Sequence, residues 1–156
     1  MIIQKYLNKN KNINRGFRKL IVWQEAVELF SFVKRKINTI TSVSYKVKAQ
    51  VEDSAFSVHS NIAEGYSRRS LKENIQFNNI ALSSLAENYS QVFSLNTSGD
   101  IEDTWFEKYD DMHYSIENKL INLNKSYIEK LKNSSDWKDD YILREIIEEY
   151  ISDDEL

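Results

Sequence analysis

A chain of 156 residues, 41% hydrophobic and 29% charged, has the composition of a globular domain and the length to bury one core, which excludes a wholly disordered chain and two independent domains. The lack of cysteine excludes disulfide frameworks, thiolate metal sites and cysteine nucleophiles and fits a reducing compartment, so the cytoplasm is the expected location. The net charge of -3 conceals an asymmetry: residues 1–72 hold 14 Lys and Arg against 5 Asp and Glu, whereas residues 73–156 hold 7 against 19.

Residues 1–16, rich in Asn and Lys, read as a flexible N-terminal arm. They contain no apolar run of secretory length, and nowhere does the chain approach the roughly 20 apolar residues of a membrane span. Neither export nor membrane insertion is expected. Proline is absent and the glycines are only Gly16, Gly65 and Gly99, a scarcity that helices tolerate and all-β folds do not. Each glycine falls where an apolar pattern breaks, so each is expected at a helix end or loop, where positive φ is useful.

From Phe17 to about Ile40, Leu20, Trp23, Val27, Phe30 and Ile37, broadened by Ala26 and Val33, recur at helical spacing and predict helix one. Val47, Val51, Ala55, Val58 and Ile62 predict helix two, ending at Gly65. Ser70 and Glu73 have capping-box spacing, so helix three starts there and carries Leu71, Ile75, Leu82, Leu85, Tyr89 and Val92, with Asn78 as a polar core candidate. Trp105, Tyr109, Met112, Ile116, Leu120, Leu123, Tyr127 and Leu131 predict helix four. Asn133-Ser134-Ser135-Asp136 offers a cap for a shorter, acidic fifth helix with Trp137, Tyr141, Leu143, Ile147 and Ile151 as its apolar members. Short connections between long amphipathic helices favour an all-α, antiparallel up-down four-helix bundle with an additional C-terminal helix. The expected organisation is an arm over 1–16, a bundle over 17–133 and an acidic C-terminal helix and tail over 134–156.

The residues supply no catalytic constellation. A di-metal bundle needs two Glu-x-x-His motifs and two further carboxylates, and the nearest match is one Asp110-x-x-His113, with His59 the only other histidine. Phosphate-binding glycine loops and the zinc motif H-E-x-x-H are absent. Neither histidine has an Arg in the seven positions before it, unlike small helical ribonucleases. No enzyme activity, cofactor or metal is expected.

The stretch Ser57-Val58-His59-Ser60-Asn61-Ile62-Ala63-Glu64-Gly65-Tyr66-Ser67-Arg68-Arg69-Ser70, with Glu73 and the helix-one stretch Phe17 to Ala26, resembles the four-helix bundle family encoded in intervening sequences of bacterial 23S ribosomal RNA genes. That family also includes accessory variability proteins of diversity-generating retroelements, and the resemblance covers about residues 17 to 131. It implies a homopentameric barrel and, for the retroelement members, a scaffold that binds a reverse transcriptase and nucleic acid. His59 stands where many members have proline.

Within the motif, Ser60, Asn61, Glu64 and Gly65 are expected to fix the turn between helices two and three. Asn61 and Glu64 stand three apart, in reach of a neighbouring helix end or the Arg68 guanidinium. Arg68 and Arg69 cannot both pack inward from a short turn, so they are expected to meet a carboxylate, phosphate or partner. With Lys34, Arg35 and Lys36 on helix one they are the leading candidates for RNA or DNA contact. The aromatic residues are expected in core and subunit contacts. The function expected is a non-enzymatic oligomeric scaffold that binds nucleic acid or a nucleic-acid enzyme such as a reverse transcriptase. The alternative is a purely structural or regulatory oligomer.

Overall fold

A computed structural model describes residue 9, residues 13–68 and residues 70–133. These form a 3-10 helix, Ile13–Lys19, and four α-helices: α1 (Ile21–Thr39), α2 (Tyr45–Tyr66), α3 (Leu71–Thr97) and α4 (Asp103–Asn133). No strand occurs among the described residues. The fifth helix expected after Asn133 lies outside them.

Local chemistry sets the boundaries. Ser44 caps α2 by accepting the Val47 amide at 3.4 Å, and Ser70 caps α3 by accepting the Glu73 amide at 3.2 Å while its hydroxyl donates to the Glu73 carboxylate at 3.0 Å. Both caps satisfy backbone donors that a helix start leaves without partners. Gly99 ends the α3 hairpin at φ 83, in the left-handed region that favours glycine. Gly65 stands one residue before the end of α2, at the helix end expected of it, and Gly16 lies within the 3-10 helix; neither has positive φ. A Cβ on Gly65 would stand 2.7 Å from the Phe77 Cβ and 3.2 Å from the Asn74 carbonyl oxygen. Close approach of α3, not positive φ, therefore requires that glycine.

One core joins the four helices, with Leu29, Val33, Ile37, Val51, Val58, Ile62, Leu85, Val92, Tyr109, Ile116 and Leu120 fully buried. The core line of α1 is Val22, Ala26, Leu29, Val33 and Ile37. Trp23, Val27 and Phe30, expected at its centre, flank it half-buried. On α3 the buried line is Asn74, Asn78, Ala81, Leu85, Asn88 and Val92, while Leu71, Ile75, Leu82 and Tyr89 stand half-buried to one side.

The buried polar groups bond to one another. Asn88 donates to the Val51 carbonyl and the Ser54 hydroxyl, both at 2.9 Å, and accepts from the Tyr109 hydroxyl at 2.8 Å. Asn78 donates to Asn124 at 2.9 Å and Asn124 donates to Asn79 at 3.0 Å. The Asn78 carbonyl oxygen is the one buried side-chain polar atom without a partner among the described residues. These bonds tie α2 to α3 and α3 to α4 at defined levels, because an unpaired buried amide is costly.

Candidate functional site

The basic residues singled out in the sequence fall into two separate groups. Lys34, Arg35 and Lys36 stand near the C-terminal end of α1, at the end of the molecule that holds the α1–α2 and α3–α4 connections. Lys34 pairs with Glu52 of α2 at 3.9 Å and lies over the Phe30 ring, 5.4 Å from its centroid. Lys36 pairs with Glu102, and Ser42 hydrogen-bonds Asp100. These bonds clasp the two connections and hold both carboxyls below the usual carboxylate range, through Ser42 and Ser98 for Asp100 and through Lys36 for Glu102. Arg35 is exposed and makes no hydrogen bond, ion pair or ring contact among the described residues.

Arg68 occupies the opposite end, just past α2. Its guanidinium pairs with Glu64 one turn earlier and covers the Phe77 ring of α3, 4.5 Å from the centroid. From Glu52, the partner of Lys34, to Glu64 is twelve residues of α2, or about 18 Å of rise. The structure therefore does not bring Arg68 together with the Lys34 group. Arg69 lies outside the described residues.

The Ser60 to Gly65 motif serves the helix pair. The Ser60 hydroxyl donates to the Phe56 carbonyl at 3.0 Å, and Asn61 donates to the Ser57 carbonyl at 2.8 Å and the Ser57 hydroxyl at 2.9 Å. Ser57 and Ser84 lie 2.9 Å apart across α2 and α3, and Gly65 lets α3 approach.

Apolar periodicity does not reveal the aromatic face on the outer side of α1 and α2. Trp23 meets Phe17 edge-on at 5.1 Å, and Phe30 meets Phe56 at 5.3 Å and His59 at 5.6 Å. Phe56 is 51% exposed. The signal lies in the spacing of Trp23, Val27 and Phe30, which by periodicity alone belongs to the core. Burial against these rings holds His59 below its ordinary pKa of 6.5.

His113 is buried on α4, with its Nε2 3.2 Å from the Leu85 carbonyl oxygen and its ring 4.7 Å from that of Tyr89. Burial lowers its pKa, opposed by the Leu85 carbonyl and by Glu117 and Asp110. No group of three or more His, Asp and Glu side chains among the described residues is arranged to hold a metal ion. No described helix is long and apolar enough to cross a membrane.

The model of the 23S rRNA-intervening sequence protein family matches residues 18–122. That is more than half of the chain, and the chain belongs to this family. No curated protein matches it.

Proposed function

We propose that the protein is a non-enzymatic homo-oligomeric scaffold, and that the outer α1–α2 face is where its copies meet. The observation that carries this is the exposed Phe56 with the half-buried Phe30 and His59 around it, continued by the half-buried Val27 and Trp23 along one face. Large rings left at the surface in a contiguous line mark interaction sites, and buried aromatics supply much of the energy of such contacts. Apart from the Asn78 carbonyl oxygen, the described polar groups of the interior bond to each other and to backbone. Family membership and the resemblance to pentameric members support a ring of copies, with five as the expected number.

The arrangement within each copy is an antiparallel up-down bundle over 17–133. It is supported by pairs whose residue numbers run in opposite directions along neighbouring helices: Ser54 with Gln91 and Ser57 with Ser84, Phe30 with Phe56 and Lys34 with Glu52, Asn88 with Tyr109 and Asn78 with Asn124. Glu25 meets Lys119 at 2.9 Å, and Phe32 stacks on Trp105 at 4.5 Å. The cytoplasm remains the expected compartment.

A second reading, binding of RNA, DNA or a reverse transcriptase, is favoured by Arg35, which of the four described candidate cations is the one without a partner among the described residues. Lys34, Lys36 and Arg68 already meet carboxylates within the chain, which favours the scaffold reading. Mass by light scattering tests it. A multimer that the Phe56→Asp variant dissociates, with helicity kept, is expected. A monomer at micromolar concentration would refute the scaffold, and a multimer indifferent to Phe56→Asp would refute the face.

A further inference from the structure

The helices neighbour one another in cyclic order. α1 meets α2 through Lys34 and Glu52, α2 meets α3 through Ser57 and Ser84, α3 meets α4 through Asn78 and Asn124, and α4 meets α1 through Lys119 and Glu25. The outer faces of the α1–α2 and α3–α4 pairs therefore lie on opposite sides of the molecule. The α3–α4 face has an aromatic group of its own. Tyr89 packs on Phe93 at 6.1 Å and on Phe106 at 5.9 Å, and Phe93 meets Phe106 edge-on at 5.8 Å. Phe93 is 50% exposed, as open as Phe56 on the opposite face. Large rings left at the surface on both sides mark two contact surfaces and not one.

The two aromatic groups stand at one height. Glu25 meets Lys119 and Phe32 meets Trp105 across α1 and α4, so Phe30 is level with the α4 residues between 105 and 119. Tyr89, which packs on Phe106 and Tyr109, is at that level too. Nearer the connections Lys36 bonds Glu102, which sets Lys34 and Arg35 level with the first turns of α4. At this end the two faces differ in charge. The α1–α2 face carries the exposed Lys34, Arg35 and Lys46 against Glu52, already paired with Lys34, and Asp53. On α4, Asp103, Glu107, Asp110 and Glu117 follow one another at spacings that keep them on one side beside Phe106. Burial and then Asp110 raise the pKa of the Tyr89 hydroxyl, which fixes that side as the one next to α3. Lys108, two residues from both Phe106 and Asp110, points to the other side of α4.

An aromatic and basic face matches an aromatic and acidic one better than it matches itself, because like faces would set like charges together. Unlike faces on opposite sides join copies head to tail, and such contacts close into a ring when the rotation closes. About an axis along the helices every copy keeps the same height, so groups level within one copy meet across the contact. We propose that the α1–α2 face of each copy packs on the α3–α4 face of the next, with Phe56 against Tyr89, Phe93 and Phe106 and with Lys34 and Arg35 facing Asp103 and Glu107. This inference rests on the scaffold reading and names the surface that the α1–α2 face meets.

Complementation between two full-length variants tests it, with mass read by light scattering and helicity by circular dichroism. Phe56→Asp disables one face and Phe93→Asp the other. Head-to-tail packing makes each variant monomeric alone, whereas an equal mixture forms pairs with one copy of each, because each supplies the face the other lacks. A Phe93→Asp multimer as large as wild type, beside monomeric Phe56→Asp, would show like faces pairing; it overturns this inference and leaves the scaffold standing. A mixture that stays monomeric also overturns it, and a monomeric wild type overturns both readings. The lack of cysteine allows a second measurement in which no charge is placed on either face. Co-expressed Phe56→Cys and Phe93→Cys copies should be joined by a short bismaleimide, and Phe56→Cys expressed alone should not. Equal cross-linking of Phe56→Cys alone, or none in the co-expressed sample, would refute the head-to-tail contact.

Discussion

At the scale of single residues, the contacts most open to test are those that leave no room for adjustment. Gly65→Ala sets a methyl against the Phe77 Cβ, and both neighbours are anchored on the backbone of α3. Overpacking of that kind costs about 1–3 kcal/mol, so the thermal midpoint should fall without loss of helicity. Tyr109→Phe leaves the buried Asn88 carbonyl oxygen without its donor; denaturant titration should report a loss of about 1–3 kcal/mol. The two histidines give stability a pH dependence. Burial depresses both folded pKa values below 6.5, so the unfolded chain takes up more protons in that range. Their contribution is intact above pH 6.5 and is lost as pH falls toward the folded values. Denaturant midpoints measured down through this window should decline, and the His59→Gln/His113→Gln variant should decline less.

At the scale of helices, the sequence is most legible where capping chemistry and apolar spacing agree. Ser70 with Glu73 marks the start of α3 in both sequence and structure, and Ser70→Ala should cost about 1 kcal/mol of stability, measurable by denaturant titration against wild type. Val51, Ala55, Val58 and Ile62, expected in the apolar stripe of α2, are in its core. On α3 the apolar residues are legible but their role is not. Leu71, Ile75, Leu82 and Tyr89 repeat at helical spacing, yet the side turned to the core includes Asn74, Asn78 and Asn88. Periodicity reports that a helix has an apolar side; it cannot report that a second, more polar side is the buried one. Asn78 stands out in the sequence because it interrupts the apolar line, while Asn88 finds its partners on α2 and α4, at sequence distances no local pattern reveals. On α1, Ala26, Val33 and Ile37 of the expected stripe are in the core, whereas Trp23, Val27 and Phe30 lie half-buried at its flank, where Val22 and Leu29 take the core positions beside them.

For the molecule as a whole, the sequence shows that basic residues crowd the first half but not how folding distributes them. The Lys34 group and Arg68 sit at opposite ends, and three of the four described candidates meet carboxylates. Their charge is thus partly neutralised within the chain, and a phosphate must compete with Glu52, Glu102 or Glu64 for them. Arg35 has no such competitor among the described residues. If the protein binds RNA or DNA, Arg35→Glu should weaken binding more than Arg68→Glu. It should also flatten the log–log salt dependence by about 0.7–0.9, the share of one phosphate neutralised by one cation. In a ring of copies each such cation recurs, so the weakening seen with long RNA should exceed that seen with a short oligonucleotide. Arg68→Glu should act differently, setting two carboxylates one turn apart and uncovering Phe77, which lowers thermal stability and leaves salt dependence unchanged. Equal effects of the two substitutions on binding would show that nucleic acid displaces Glu64. Absence of salt-sensitive binding by the wild-type protein at low ionic strength would leave self-assembly through the aromatic face as the function these surfaces serve.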